Sequence, residues 1–331
     1  MRIAIDAMGG DRAPKVVVEG AVAAAKEWPD VHIVLVGDTA RMEEFLQEKP
    51  SNVTLKHAGE VIEADDEPVK AVRRKKDASM VVAGRLVKEK EAAAMISAGN
   101  TGALMATGLL IVGRIAGIER PALAPMIPTM NGKGVLALDL GANMDATAEH
   151  LTQYAIMGSI YRSKVHGIAT PRVGLLNVGT EAMKGNELTK AAYPLLEKAP
   201  IHFVGNVESR DMLRVECDVI VCDGFVGNIM LKTLEGAASA IFSALKQEFT
   251  KSLWTKLAAA VLKPSLSQFR KKLDYSEHGA APLLGIDGLV LKSHGSSDAK
   301  AIKNAVRQAR IGLQNDLVGA ISREISHGGR E

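Results

Sequence analysis

Short apolar runs alternate along the chain with longer stretches whose apolar positions recur at helical spacing. Residues 2–6, 31–36, 92–96, 135–139, 173–176 and 218–222 read as buried strands, and 53–57 as a weaker one. Residues 14–26, 103–110, 148–161 and 187–196 read as helices, the first opening on Pro14, where a helix needs no backbone donor. A longer helix is predicted over 228–246, with Leu231, Leu234, Ala238, Ile241, Phe242 and Leu245 on one face. Such alternation predicts an α/β protein with a mostly parallel sheet.

The strand ends carry the candidate chemistry. After 173–176 the chain turns through Asn177, Gly179, Thr180, Glu181, Lys184 and Asn186 into the next helix. Open α/β sheets hold ligands at such turns, because free amides and the positive end of the helix point into the crevice. Lys184 adds a mobile cation. Taken alone, the turn reads more readily as an ordinary connection with a solvated lysine. The design repeats, however. Ser97, Gly99, Asn100 and Thr101 open the helix 103–110 with hydroxyls, a carboxamide and backbone donors, groups that suit an anion or simply cap the helix. Gly141, Asn143 and Asp145 follow 135–139; Asp223, Gly224, Gly227 and Asn228 follow 218–222; Lys292 and His294 precede the last helices. Several loops are therefore expected to converge on one crevice. Neither GxGxxG nor GxxxxGK[ST] follows the first strand, which lowers the prior for the standard nucleotide folds.

Composition narrows the classes. A chain of 331 residues with 47% hydrophobic and 24% charged residues has the make-up of a soluble globular protein with a sizeable core. A net charge of +3 and 4% aromatic residues give no case for nucleic acid. The basic run 73–76 reads as a solvated helix face, or else as a contact for an acidic partner. Cys217 and Cys222 flank a strand-like run with no metal spacing and fit reduced thiols in a cytoplasmic protein, Cys222 as a core residue.

Seven segments in order, MGGDRAP, SAGNTGALMA, DLGANMD, LLNVGTEAMKGNE, GNVESRD, VCDGFVGNIMLK and GAAPLLGIDGLVLKSHGSSD, resemble the bacterial phosphate acyltransferase (PlsX) family over essentially the whole chain. The resemblance implies transfer of a fatty acyl group from acyl-acyl carrier protein to inorganic phosphate, giving acyl phosphate for phospholipid synthesis. It implies a homodimer and a three-layer α/β/α fold with a mixed, largely parallel sheet, related to isocitrate and isopropylmalate dehydrogenases and to phosphotransacetylases. Residues 1–331 would then form a single catalytic unit of two intertwined α/β subdomains, from which residues 228–275 stand out as a helical protrusion. The lysine of MKGNE and the asparagine of GFVGN are carried over as catalytic, onto Lys184 and Asn228. Phosphate and substrate contacts are expected at Ser97, Gly99, Asn100, Thr101, Asn143, Asn177, Gly179, Asn186, Asp223, Gly227 and His294. No metal or cofactor is implied. The product would pass to a membrane acyltransferase that consumes acyl phosphate.

That reaction asks mainly for positioning. Phosphate near neutral pH is already an oxyanion nucleophile and a thioester has a good leaving group, so no enzyme-bound acyl intermediate is required. Phosphate must be held against the thioester carbonyl, whose developing oxyanion must meet fixed donors. Lys184 offers charge, Asn228 an amide donor, and the turns at Asn100 and Gly179 backbone amides. His294 either orients phosphate or fills a core. Asp223 reads as a loop-ordering carboxylate, paired with Lys184 or Lys232 if it lies near phosphate. A decarboxylating dehydrogenase would need clustered carboxylates and a cofactor loop, which the sequence lacks; a noncatalytic membrane-associated scaffold for carrier protein is the other alternative.

One stretch has a different character. Residues 251–273 hold six lysines and arginines and no acidic residue, with Leu253, Trp254, Leu257 and Val261 at helical spacing. A basic amphipathic segment of this kind suits an anionic membrane surface, here the inner face of the cell membrane, or an acidic carrier protein; dimer packing is the alternative.

Overall fold

The computed structural model describes residues 1–252, 254–257, 259–262 and 280–328. Its strands fall into two sheets. The larger contains β1 (Arg2–Asp6), β2 (His32–Gly37), β3 (Val53–His57), β4 (Ala94–Ser97), β5 (Ala122–Leu123), β11 (Ala281–Leu284) and β12 (Leu289–Lys292), in the order β3-β2-β1-β4-β12-β11-β5. The smaller contains β6 (Met126–Ile127), β7 (Val135–Leu138), β8 (Arg172–Asn177), β9 (His202–Glu208) and β10 (Val219–Val221), in the order β6-β7-β10-β8-β9. Pairing is parallel except at β11 with β12 and β5, and at β6 with β7. The expected mixed, largely parallel arrangement is present, divided over two sheets. Nothing in the sequence pattern marked β5 or β6, whose two residues each are too few to show a period. Yet this short stretch carries the chain from one sheet to the other.

The helices are α1 (Lys15–Glu27), α2 (Thr39–Glu43), α3 (Pro68–Arg74), α4 (Ser79–Lys88), α5 (Thr101–Thr107), α6 (Ala148–His166), α7 (Glu187–Lys198), α8 (Gly224–Thr250), α9 (Ala299–Gln314) and α10 (Leu317–Gly328). Strand alternation sorts the core. Ile3 and Ile5 of β1 join Leu136 and Leu138 of β7 in one cluster that continues through α1, α6 and α9, so a single core backs both sheets. Ala4 of β1 points the other way, into a cluster with Met80, Val81 and Leu104 of α4 and α5. Ala137 and Ile220 face a third cluster, against which Met230, Leu231 and Leu234 of α8 pack.

Helix α8 departs most from expectation. It starts at Gly224 rather than 228, because Asp223 caps it by accepting a hydrogen bond from Val226 N at 2.9 Å. Of its 27 residues only Gly224 and Gly227 are buried. Beyond it, Trp254, Leu257 and Val261 are exposed by 82%, 61% and 80%, so among the described residues little covers their apolar faces. Leu253 and residues 263–279, which hold much of the expected basic protrusion, lie outside the described residues.

Candidate active site

Three parallel neighbours, β7, β10 and β8, keep Leu138, Val221 and Leu175 in register, so the loops leaving them start level. Asp139, the next residue after β7, is fully buried. Its Oδ1 accepts from Leu123 N and Ala142 N, both at 3.1 Å; its Oδ2 accepts from Asn143 N at 2.6 Å and Asn143 Nδ2 at 3.1 Å. Burial pushes the Asp139 carboxyl up to about 6, while these donors pull the other way. Asn143 Nδ2 also lies 2.7 Å from Pro121 O and 2.9 Å from the Tyr154 hydroxyl, so its amide serves the loop itself.

The first turn of α8 rests on this loop. Gly224 N donates to Asn143 O at 2.9 Å. A Cβ on Gly224 would stand 2.6 Å from that oxygen and 2.9 Å from Asp139 Oδ2, and one on Gly227 would run into the Asp139 carbonyl. Glycine is needed at both positions for the close approach. Asn228 follows at once, half-buried, and among the described residues no protein group takes up its carboxamide.

The loop after β8 is pinned by its backbone and leaves its lysine exposed. Asn177, itself buried, donates from Nδ2 to Lys184 O at 3.1 Å and accepts from Val178 N at 2.8 Å. Asn206 Nδ2 holds Glu181 O at 2.7 Å. Gly179 packs against the Lys184 stem, its Cβ position lying 3.1 Å from Lys184 Cγ. Asn186 caps α7 through Thr189 N at 3.0 Å. Asp223 is likewise a cap, and Lys232 pairs with Glu235 rather than with it. Val178, Met183, Phe225 and Ile229 are exposed by 75%, 79%, 58% and 52%, an apolar fringe beside Lys184 and Asn228.

A second group of loops leaves β1, β4 and β12, where Ile5 pairs with Ile96 and Ser97 with Lys292. Strand order reverses between β1 and β4, the switch point at which such sheets open a crevice. Asp6 is buried and accepts from Ser79 Oγ and Ser97 Oγ, each at 2.6 Å; burial raises its carboxyl above the usual range. Ser97 Oγ also accepts from Gly99 N at 3.0 Å. A Cβ on Gly9 would stand 2.6 Å from Gly99 N, so the two loops touch through glycine. Asn100 is fully used, accepting from Ala103 N and donating to Ala64 O, both at 3.0 Å, while Thr101 begins α5 exposed. Lys292 Nζ donates to Ala98 O at 3.3 Å and to Ser293 O; burial lowers its ammonium to about 8 against the pull of Asp6 and Asp11. His294 is exposed and bonds Ser296 Oγ at 2.8 Å, which removes core filling as its role.

The expected residues therefore fall on two strand edges. Lys184, Asn228, Asn143, Asn177, Gly179, Asn186, Asp223 and Gly227 share the smaller sheet; Ser97, Gly99, Asn100, Thr101 and His294 share the larger. Sequence reasoning passed over Asp6 and Asp139, although a carboxylate ending an otherwise apolar strand was the available signal. Cys222 is buried and its thiol is raised well above its ordinary value, chiefly by burial, as its reading as a core residue expected. The concavities lined by Arg2, Lys56 and Glu91, and by Ser159, Thr170 and His202, hold none of these residues and lie towards the N-terminal ends of β1 and β9, away from the edge where parallel sheets bind ligands.

Two level sets of glycine-bound loops at parallel strand ends, one presenting a lysine and a free amide, mark an α/β protein whose strand ends are built to hold a ligand. Solved structures with this fold include a phosphotransacetylase from Streptococcus pyogenes, 17% identical with a TM-score of 0.62 over 96% of this chain and 94% of that one. A branched-chain phosphotransacylase from Enterococcus faecalis is similar too, 14% identical with a TM-score of 0.55 over 95% and 99% of the two chains. The chain belongs to the family described as fatty acid synthesis protein, whose model matches residues 1–318. It is 58% identical over 325 residues to a phosphate acyltransferase of Geobacillus thermodenitrificans, covering 98% of this chain and 99% of that protein. It is 59% identical over 326 residues to a phosphate acyltransferase of Brevibacillus brevis, covering 98% and 97%.

Proposed function

We propose that this chain moves an acyl group from a thioester to inorganic phosphate; its relatives are named phosphate acyltransferases. The observation that carries the reading is the full-length identity with those relatives. In the reaction a phosphate oxygen attacks the thioester carbonyl, a carbon–oxygen bond forms, and the carbon–sulfur bond breaks. The thiolate leaves with the bonding pair and takes a proton from solvent. Lys184, exposed on a backbone-pinned loop, draws the phosphate dianion by charge. Asn228 offers its amide to the oxygen on which charge develops, next to α8's first turn. Thr101 and His294, exposed on the edge of the larger sheet, offer further contacts to phosphate, whereas the Ser97 hydroxyl and the Gly99 N–H are taken up by Asp6 and Ser97 within the fold. The fringe of Val178, Met183, Phe225 and Ile229 suits an acyl chain better than it suits water.

The acyl donor in this reading is acyl-acyl carrier protein, in keeping with the family's description, and the product is acyl phosphate for phospholipid synthesis. The protein works as a homodimer of two-subdomain units. Its exposed Trp254, Leu257 and Val261, flanked by Lys251 and Lys256, rest on the anionic inner face of the cell membrane, where acyl phosphate is handed on. Among the described residues no helix is long and apolar enough to cross a bilayer. Incubation of the purified protein with acyl-carrier-protein thioester and phosphate should yield acyl phosphate and free thiol in equal amounts, read by mass spectrometry. Thiol release without acyl phosphate would mark a thioesterase instead.

A further inference from the structure

We propose that Asp139 is a positioning residue for acyl transfer: its carboxylate fixes the loop 140–143 on which the first turn of α8, and with it Asn228, is seated. The inference rests on the reading of Asn228 given above and adds the part of the fold that holds it in place.

The chain of contacts is continuous. Asp139 is the terminus of an apolar strand, fully buried, and among the described residues no lysine or arginine forms an ion pair with it. Its charge is met by three backbone N–H groups and the Asn143 amide. Two of those donors, Ala142 N and Asn143 N, belong to the loop itself; Leu123 N belongs to the stretch that links the two sheets. Thus one carboxylate ties the loop to the junction. The loop is then tied to α8 by Gly224 N on Asn143 O at 2.9 Å and by the close approach at Gly224 and Gly227. Gly141, held at φ 118°, meets Asn228: its Cβ position lies 3.6 Å from both Cβ and Cγ of that residue. A carboxylate placed in the core without a counterion is disfavoured unless its donors are numerous, and groups kept at such a cost often serve function.

Asparagine cannot replace it. Each carboxylate oxygen faces two donors, so in either orientation the carboxamide would set its own NH2 against a pair of N–H groups. The loop would loosen, and Asn228 would lose its seat. Misplacement on the scale of 1 Å commonly costs about 100-fold in rate. Tyr154→Phe is a milder disturbance of the same loop, since the Tyr154 hydroxyl accepts from Asn143 Nδ2 at 2.9 Å.

The experiment is a double-mutant cycle on kcat with acyl thioester and phosphate as substrates. Asp139→Asn and Tyr154→Phe are each made in the wild-type and in the Asn228→Ala background, with circular dichroism confirming the fold. We expect Asp139→Asn to lower kcat by about 10- to 100-fold and Tyr154→Phe by about 3-fold, with KM for phosphate little changed and both effects absent when Asn228 is already alanine. If Asp139→Asn does not fold, Tyr154→Phe alone decides. Equal losses in both backgrounds, or no loss in the wild-type background, would overturn the positioning role. Should Asn228→Ala itself turn over at the wild-type rate, the error would lie in the assignment of Asn228, and the cycle would show it separately.

Discussion

Gly141 and Asn228 face each other across a loop and a helix that are 87 residues apart in sequence: a Cβ built on Gly141 would lie 3.6 Å from the Asn228 side chain. A methyl at 141 would meet that residue at ordinary contact distance, but Gly141 has a backbone conformation that only glycine adopts readily. Asn228→Ala should lower kcat by about 100-fold while leaving carrier-protein binding largely intact, because an oxyanion donor acts in the transition state. Loss of carrier-protein binding with normal single-turnover chemistry would give Asn228 a different role.

Lys184 is exposed on a loop whose backbone is fixed by Asn177 and Asn206, so its removal should not disturb folding. Lys184→Ala should reduce acyl transfer by about 100-fold or more, with an unchanged melting temperature. Near-wild-type turnover would take the residue out of the mechanism.

Gly227→Ala tests packing. Its methyl would collide with the Asp139 carbonyl, a backbone atom that cannot swing aside as a side chain does. Overpacking of this kind costs about 1–3 kcal/mol, and the variant should melt at a lower temperature. A melting temperature equal to that of the wild type would mean that α8 can lift off its loop without penalty.

Cys222 should be inert. Burial holds its thiol well above the ordinary range, so it stays protonated at neutral pH. Iodoacetamide at pH 7.5 should leave it unmodified in the folded protein but label it after denaturation, and Cys222→Ala should retain activity. Rapid labelling in the native state would contradict the buried position.

The pH dependence of stability follows from Asp139. Its folded-state value of about 6 lies above the ordinary 3.8, so the folded protein binds this proton more tightly than the unfolded chain does. Ionisation of Asp139 is thus a cost above pH 6, which is relieved as the pH falls from about 6 to about 4. The gain is at most about 3 kcal/mol, and the raised Asp6 adds in the same direction. Other carboxylates pull the opposite way, so the quantity to follow is wild-type unfolding free energy minus that of Asp139→Asn. It should rise on acidification; a flat or falling difference would refute the raised value.

For the exposed tip, Leu257→Glu should release the protein from anionic vesicles in a flotation assay while acyl transfer in solution stays nearly unchanged, since a charge in the apolar face removes its affinity for the headgroup region. A variant that still floats, or that falls into monomers, would make the segment a dimer contact.

Much of this is legible in the sequence alone. Parallel strands such as β2 and β4 announce themselves as apolar runs ending in glycine and polar residues, so the strand-end turns that carry Lys184 and Asn228 are legible, whereas the one crevice expected from them is divided over the edges of two sheets. What stayed hidden depends on contacts distant in sequence. Asn100, Asn143 and Asn186 look like ligand-binding amides, yet their side chains are used by loops and caps. Asp139 looks like a strand terminus, and only its four donors, one of them from Leu123, reveal its task. The start of α8 was placed late because glycine is read as a helix breaker, whereas Gly224 and Gly227 are there to bring backbone against backbone.

Helix α8 behaves mechanically as a cantilever. It is clamped at Gly224 and Gly227, steadied by Met230, Leu231 and Leu234, and largely uncovered beyond. At about 1.5 Å per residue its far end at Thr250 is about 39 Å from the clamp, while Asn228 is only about 6 Å from it. A rigid tilt that carries the far end by about 3 Å therefore shifts Asn228 by about 0.5 Å, near the tolerance a reacting group allows. The beam is geared down: the tip can rock by several ångströms while the amide beside the clamp hardly stirs.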